Sequence, residues 1–272
     1  LVMSCRKLSA REVRETISLV REIRSKTNMQ MCLSAGLLTK DELKDLFEAG
    51  VVRCHCNLET SSGRFADLCT THTTADKIKT LKAAREVGMD VCSGGIIGMG
   101  ENEVERIHLA LELRELEVGS IPINILAPIS GTPLADQPLL SDEEILRAVA
   151  LFRLVNPAAQ LRFAGGRARL SEEVQKEAMR CGINAAIMGD MLTTKGSAVE
   201  ADRRLVKEAG YRIDEAAAFD EAHLWHPYTS ATYPTPVNVA SSGRGAKIVL
   251  ADGTELIDGT SSWWCAAFGY NR

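Results

Sequence analysis

At 272 residues, with 45% hydrophobic and 25% charged residues, the chain has the balance of a globular protein of one large domain or two small ones. A net charge of −4 argues against nucleic acid or an anionic membrane surface as a partner. No apolar run reaches the roughly 18 residues of a membrane span, and "LVMSCRKLSAREV" has no signal-peptide core.

The chain then settles into a strand–helix rhythm. "LVMS" reads as the end of an earlier strand. A helix follows from Ala10 to about Lys26, with Val13, Ile17, Val20 and Ile23 as its buried stripe. The strand "MQMCLS" leads to a helix through "KDELKDLFEAG", where Gly50 is the C-cap. The strand "VVRCHCNLE" precedes a helix from about Thr74 to Val87, with Ile78, Leu81 and Val87 apolar. "DVCSGGI" leads to a helix carrying Val104, Ile107 and Leu111. "IPINIL" is the next strand, and Ser141 caps the helix "DEEILRAVALFRLV". "QLRFA", a helix after Ser171, the strand "NAAIM" and a helix through "EADRRLVKEAG" complete the series.

About six such units imply parallel strands with right-handed crossovers. A doubly wound sheet and a (β/α)8 barrel both fit. Strand polarity favours the barrel: His55, Asn57 and Glu59 alternate with Cys54, Cys56 and Leu58, and Gln160 and Arg162 with Leu161 and Phe163. Central strands of a doubly wound sheet are apolar on both faces, whereas a barrel mouth collects polar groups from several strands. The expected fold is therefore an incomplete TIM-type barrel, lacking about two units at its N-terminus. With no starting Met, the chain is expected to be a piece of a longer protein. Beyond Arg212 the pattern changes to a Pro-, Thr- and aromatic-rich segment. "KIVLADGTELIDG" follows as a hairpin turning at Asp252-Gly253. The expected division is residues 1–213 as the barrel and 214–272 as the opening of a second, α+β domain.

The eight cysteines are irregularly spaced without a Cys-x2-Cys pair, which fits neither a disulfide framework nor a zinc ribbon. A reducing, cytoplasmic setting is expected, with most thiols as small buried hydrophobes. Cys32, the His55/Asn57/Glu59 face, Cys92, Asn124 and Arg162 nevertheless fall at or near the C-terminal ends of successive strands. Each alone reads as a core thiol, a bonded amide or an ion-pair partner; together they suggest one shared site. Thiolates from different strands suit a soft metal or an iron–sulfur cluster. A cysteine nucleophile needs a positioned base, and nothing in the sequence pairs His55 with Cys32 or Cys92. "GGIIGMGE" has its glycines in the wrong order for a GxGxxG dinucleotide loop.

"CHCNLETS", "TTHTTADKIKTLKAAREVGMDVCSGGIIGMGE", "IPINIL" with "GTPLAD", and "LRFAGGR" resemble the biotin synthases, in order and spacing, from Leu1 to about Arg212. The resemblance implies a radical S-adenosylmethionine (SAM) enzyme that inserts sulfur into dethiobiotin. In that family a 4Fe–4S cluster cleaves SAM to a 5′-deoxyadenosyl radical, and an auxiliary 2Fe–2S cluster donates the sulfur. It implies Cys32, Cys92 and Arg162 at the auxiliary cluster, with Arg162 either a ligand or a hydrogen-bond donor to a sulfide, since guanidinium has no free lone pair. It further implies Asn57, Glu59, Gly95 and Ile96 at SAM, and His55 and Asn124 near dethiobiotin. The glycines are expected to let backbone approach the adenine. Cys54 and Cys56 should face the outer helices, and Cys5, Cys69 and Cys181 match no ligand position. An electron donor such as a flavodoxin or ferredoxin is implied, and a homodimer is an assembly to test.

The family's Cys-x3-Cys-x2-Cys motif for the 4Fe–4S cluster does not occur in the chain, and the fourth auxiliary ligand is also missing. Both are expected upstream of Leu1, so the chain alone is expected to be inactive. A related hydrogenase maturase or thiazole-pathway lyase is a competing reading, as is a non-catalytic tether. "HLWHPYTS", "DGTELIDG" and "SSWWCAAFGYN" resemble the N-terminus of the pyridoxal-phosphate (PLP) aminotransferase that makes diaminopelargonic acid. That likeness places Tyr228 and Trp263 at an aminotransferase substrate site. PLP itself is implied only for a complete second domain.

Overall fold

Helix starts are written into this chain as reciprocal side-chain caps. Ser9 with Glu12, Thr39 with Glu42, Thr73 with Asp76, Asn102 with Glu105 and Ser141 with Glu144 each form a capping box. Each box pairs two backbone N–H groups that a helix start leaves open. They begin α1 (Ala10–Lys26), α2 (Lys40–Ala49), α4 (Thr74–Glu86), α5 (Glu103–Glu115) and α6 (Asp142–Val155), while α3 (Ser62–Leu68) lies before α4. α7 (Glu172–Cys181) and α8 (Val199–Glu208) complete the helices, Ser171 capping the first of these two. Gly50 closes α2 at φ 116°, a left-handed turn that favours glycine.

The computed structural model describes residues 1–3, 6–186 and 199–211, together with strands at 240–244, 247–250 and 255–257. The chain divides into two compact units, Leu1–Arg212 and Ile213–Arg272. In the first, β1 (Met31–Leu33), β2 (Val51–His55), β3 (Asp90–Cys92), β5 (Ser120–Ile125), β6 (Gln160–Phe163) and β7 (Ala185–Ala186) pair in parallel, in that order. A short β4 (Gly95–Ile97) also pairs with β5. Strand order follows chain order without the reversal of a doubly wound sheet. The result is a curled, open arc of barrel type. Leu1–Met3 lies along the far side of β1: Met3 N–H donates to Ser34 O at 2.8 Å and Ser34 N–H to Leu1 O at 2.9 Å. The apolar core lies between sheet and helices, with Leu43, Leu46, Leu81, Ala84, Leu109, Leu113, Val149 and Phe152 packed against the strands.

Three local features depart from expectation. The single strand expected at "DVCSGGI" is broken into β3 and β4 at Ser93–Gly94, and α3 intervenes where no helix was expected. In α5, Val104 and Leu111 are exposed, and Arg106, Leu109, Ala110 and Leu113 form the buried face. Leu109, Ala110 and Leu113 supply the apolar stripe, and Arg106 joins their face because its Nε donates to buried Glu101 at 2.8 Å. The last buried pair, Arg167 with Asp202 at 2.6 Å, ties the turn after β6 to α8.

In the second unit β8 (Ala240–Arg244), β9 (Lys247–Leu250) and β10 (Glu255–Ile257) form an antiparallel sheet, β9 and β10 being the arms of the expected hairpin. Asp252, Gly253, Tyr228 and Trp263 lie outside the described residues. Among the described residues no helix is long and apolar enough to cross a membrane.

Candidate functional site

β2 and β3 are in register so that His55 stands beside Cys92, each the last residue of its strand. His55 Nδ1 lies 3.0 Å from Cys92 Sγ. From the other side Arg162, third residue of β6, donates from its guanidinium to the same sulfur at 2.8 Å. Cys92 is fully buried, yet its sulfur meets polar groups. Burial pushes its thiol up, and Arg162 pulls the other way. Ser120, its partner in register, is close enough to favour the thiolate but makes no hydrogen bond of ordinary geometry. Burial, with help from Arg162 and Lys77, holds His55 down at about 4, so its ring is neutral. A neutral ring with a bare Nδ1 accepts a thiol proton, and its other tautomer donates to a thiolate. Arg162 Nε is buried without a partner.

Cys32 sits at an exposed position on β1, in register with Arg53 and thus one side-chain row from the His55–Cys92 row. It is near enough for its charge to act on Cys92. Cys54 and Cys56 take the opposite face. Both lie in the apolar core, where burial pushes Cys54 up to about 12 and raises Cys56. Among the described residues no three His, Cys, Asp or Glu side chains converge enough to hold a metal by themselves. The donor set on the inner face nonetheless fits an iron–sulfur group: two soft sulfurs, a guanidinium aimed at one of them, and an unpaired buried N–H.

Asn57 and Glu59 lie beyond the end of β2. Glu59 does not continue the strand alternation: its φ is 71°, left-handed for a residue with a side chain. The bend still brings Asn57 Nδ2 within 3.5 Å of Glu59 Oε2. Lys77 of α4, almost fully buried, donates to Asn57 O at 2.7 Å and lies 4.0 Å from the Glu59 carboxylate. Burial raises Glu59, against the opposing pull of Lys77 and Asn57. Lys77 was invisible in the sequence, where a lysine in a helix reads as a solvated side chain. Its position i+4 from the Thr73 cap, facing the strand, is the only signal.

Gly94 and Gly95 mark a close approach of backbones. A Cβ on Gly94 would sit 2.0 Å from Pro122 O, and one on Gly95 2.5 Å from Glu59 O. The glycines therefore let β4 slot between neighbouring backbones; the room a Cβ would take is filled by protein rather than left to a ligand. Ile96 is half-buried and its N–H donates to Glu59 O at 2.8 Å. Asn124 spans the same corner, donating to Gly95 O at 3.1 Å and accepting from Gly165 N–H at 2.9 Å. Glu101, the last residue of the "GGIIGMGE" motif and given no separate role in the sequence, accepts from Gly98 N–H at 2.7 Å and pins the turn after β4. The structure thus makes one cluster of His55, Cys92 and Arg162, and a second of Asn57, Glu59, Gly95, Ile96 and Asn124. Cys32 lies beside the first without bonding to it.

Residues 5–113 match the Radical SAM superfamily, and residues 122–212 match the Biotin and Thiamin Synthesis associated domain. The chain is similar to biotin synthase of Porphyromonas gingivalis, 53% identical over 213 residues, covering 78% of this chain and 64% of the relative. Biotin synthase of Parabacteroides distasonis is 47% identical over 79% of this chain and 66% of its own length. The chain thus spans just under two thirds of these two relatives. Among solved structures, methylornithine synthase aligns with TM-score 0.63 at 16% identity, over 77% of this chain and 66% of that one. An FeFe-hydrogenase maturase aligns with TM-score 0.60 at 17% identity, over 73% and 49%. These two share the fold. Biotin synthase of Clostridium botulinum is 46% identical over 78% of this chain and 67% of its own length, and with that match the chain belongs to the biotin synthase family, a family of SAM-dependent iron–sulfur proteins.

Proposed function

We propose that this chain forms the greater part of a cytoplasmic biotin synthase, in which sulfur is inserted into dethiobiotin. The observation that carries the reading is the meeting of Cys92, Arg162 and His55 from three strands within 3.0 Å. Cys92 and Cys32 are the proposed thiolate ligands of a 2Fe–2S cluster, and Arg162 is at least a hydrogen-bond donor to its sulfur. When bound, that cluster supplies sulfur, and SAM with a 4Fe–4S cluster held by residues outside this chain supplies the radical chemistry.

The chain's own residues have simpler tasks. Arg162 neutralises charge on Cys92 and fixes its direction, and neutral His55 adds no competing positive charge. Asn57 and Glu59 are the proposed partners of the ribose hydroxyls of SAM, with Lys77 fixing the loop that carries them. Ile96 offers an apolar contact to the adenine, beside Gly95. His55 and Asn124 are the proposed dethiobiotin residues, and Asn124 also locks β4 to the turn after β6. A flavodoxin or ferredoxin is the proposed electron source. Residues 214–272 are assigned to the N-terminal part of a PLP aminotransferase, with Tyr228 and Trp263 at its substrate site, on sequence resemblance alone.

The test is anaerobic turnover of dethiobiotin by the polypeptide that joins this chain to a Cys-x3-Cys-x2-Cys segment. Biotin should form with wild type and fall below detection with Cys92→Ala. Biotin formation by Cys92→Ala at the wild-type rate would overturn the assignment.

A further inference from the structure

Cys69 takes no part in the site above, yet its surroundings are built. α3 ends on it, its N–H donating to Phe65 O at 3.0 Å. The following turn folds His72 back onto the thiol, with Nδ1 3.4 Å from Sγ. Thr71 Oγ1 lies 3.5 Å from the same sulfur and 3.0 Å from the same ring nitrogen. Phe65 meets the His72 ring edge-on, 5.4 Å between centroids, and fixes its plane. The Thr71 hydroxyl, then the backbone N–H groups of Thr71 and His72, draw Cys69 below the usual thiol range. Partial burial and the charges of Lys77 and Arg6 hold His72 below its ordinary value, so it is free to accept a proton.

A cavity of about 660 Å³ opens beside this pair, lined by Arg6, Phe65, Cys69, His72, Thr74 and Ile78 among others. Such a volume suits a small organic molecule. Thr74 in its wall is only 6% exposed, and its hydroxyl has no hydrogen-bond partner. Arg6 adds a cation to the same wall, where the Asp76 carboxylate of the α4 cap also lies. Thiol, base and cation together point to a small ligand that carries a carboxylate and is reactive toward sulfur.

We propose that Cys69 is a thiol–disulfide exchange site for low-molecular-weight disulfides bearing carboxylates, with His72 as proton acceptor and Arg6 as the carboxylate's partner. His72 Nδ1 takes the Cys69 proton, and the sulfur attacks one sulfur of the incoming disulfide. The ligand's S–S bond breaks as the Cys69 S–S bond forms, and the departing thiolate recovers the proton from His72. One thiol and one disulfide enter, and one of each leaves, so no other oxidant is needed. Phe65 also lies 5.5 Å from the Lys77 ammonium, which links an adduct at Cys69 to the Asn57–Glu59 corner.

The test uses the full chain, freed of metal by a chelator, with substoichiometric glutathione disulfide and peptide mapping by mass spectrometry. Cys32 is the internal standard: it is exposed, whereas Cys69 is only partly so, and accessibility alone would make Cys32 react first. Cys69 is expected to form its mixed disulfide about tenfold faster than Cys32, and the preference should vanish in urea. His72→Gln should slow Cys69 and leave Cys32 unchanged, and uncharged hydroxyethyl disulfide should show a smaller preference. Cys32 reacting as fast as Cys69 in the folded chain, a preference that persists in urea, or an unchanged rate in His72→Gln would each overturn the proposal.

Discussion

Along β2 and its extension, Cys54 and Cys56 turn toward the helices, while His55 and Asn57 turn to the inner face where Cys92 also lies. Outside, cysteine is a small apolar side chain among leucines, and burial drives Cys54 up to about 12, where it stays protonated. Inside, Cys92 is just as buried, but an arginine and a neutral histidine meet its sulfur. Burial alone therefore does not distinguish a structural thiol from a proposed ligand. The polarity of what touches the sulfur does.

The largest expected effect comes from removing the support of the inner face. Gly94→Ala would drive a Cβ into Pro122 O at 2.0 Å, backbone against backbone. The structure should lose about 3 kcal/mol or more, read by urea denaturation. An unchanged midpoint would show that β4 does not slot there as described. Next is Glu59→Gln in the SAM-binding polypeptide, which keeps shape and loses charge. SAM affinity, by calorimetry, should fall about tenfold, or 1.4 kcal/mol. Because burial raises Glu59, protonation begins above its ordinary value of 4.5. SAM binding should therefore weaken on acidification in wild type and lose that pH dependence in Glu59→Gln. Equal affinity in the two proteins would leave Glu59 a structural residue.

The outer face should respond more mildly. Cys56→Ala removes one buried sulfur from an apolar wall and should cost about 1 kcal/mol of stability. The smallest effect serves as the control for Gly94. A Cβ on Gly63, in α3, would meet nothing within 4 Å. Gly63→Ala should therefore be neutral or stabilising by up to about 1 kcal/mol. A large loss there would mean that α3 is packed on that side after all.

The order of strands and helices was legible because each unit carries its own period, cap and turn, as Ser141 and Gly50 show. That His55, Cys92 and Arg162 would gather at one end of the sheet was legible because each stands near the end of a parallel strand; that His55 touches Cys92 was not. What stayed hidden depends on contacts between distant segments. The break at Ser93–Gly94 follows from Pro122, and the left-handed backbone of Glu59 from its pairing with Gly95. In α5 the buried stripe is Leu109, Ala110 and Leu113, and only the burial of Arg106 beside them depends on a distant group, the Glu101 carboxylate. Lys77 is buried only because Asn57 O and Phe65 receive its ammonium.

The central claim is that the inner face of this sheet, and not its outer face, holds an iron–sulfur group through Cys92. The most direct measurement is anaerobic iron and sulfide reconstitution of the polypeptide carrying this chain, followed by visible absorption and iron content. Wild type and Cys56→Ala should give the same auxiliary-cluster spectrum and iron content, and Cys92→Ala should lose that spectrum. Loss in Cys56→Ala with retention in Cys92→Ala would contradict the account.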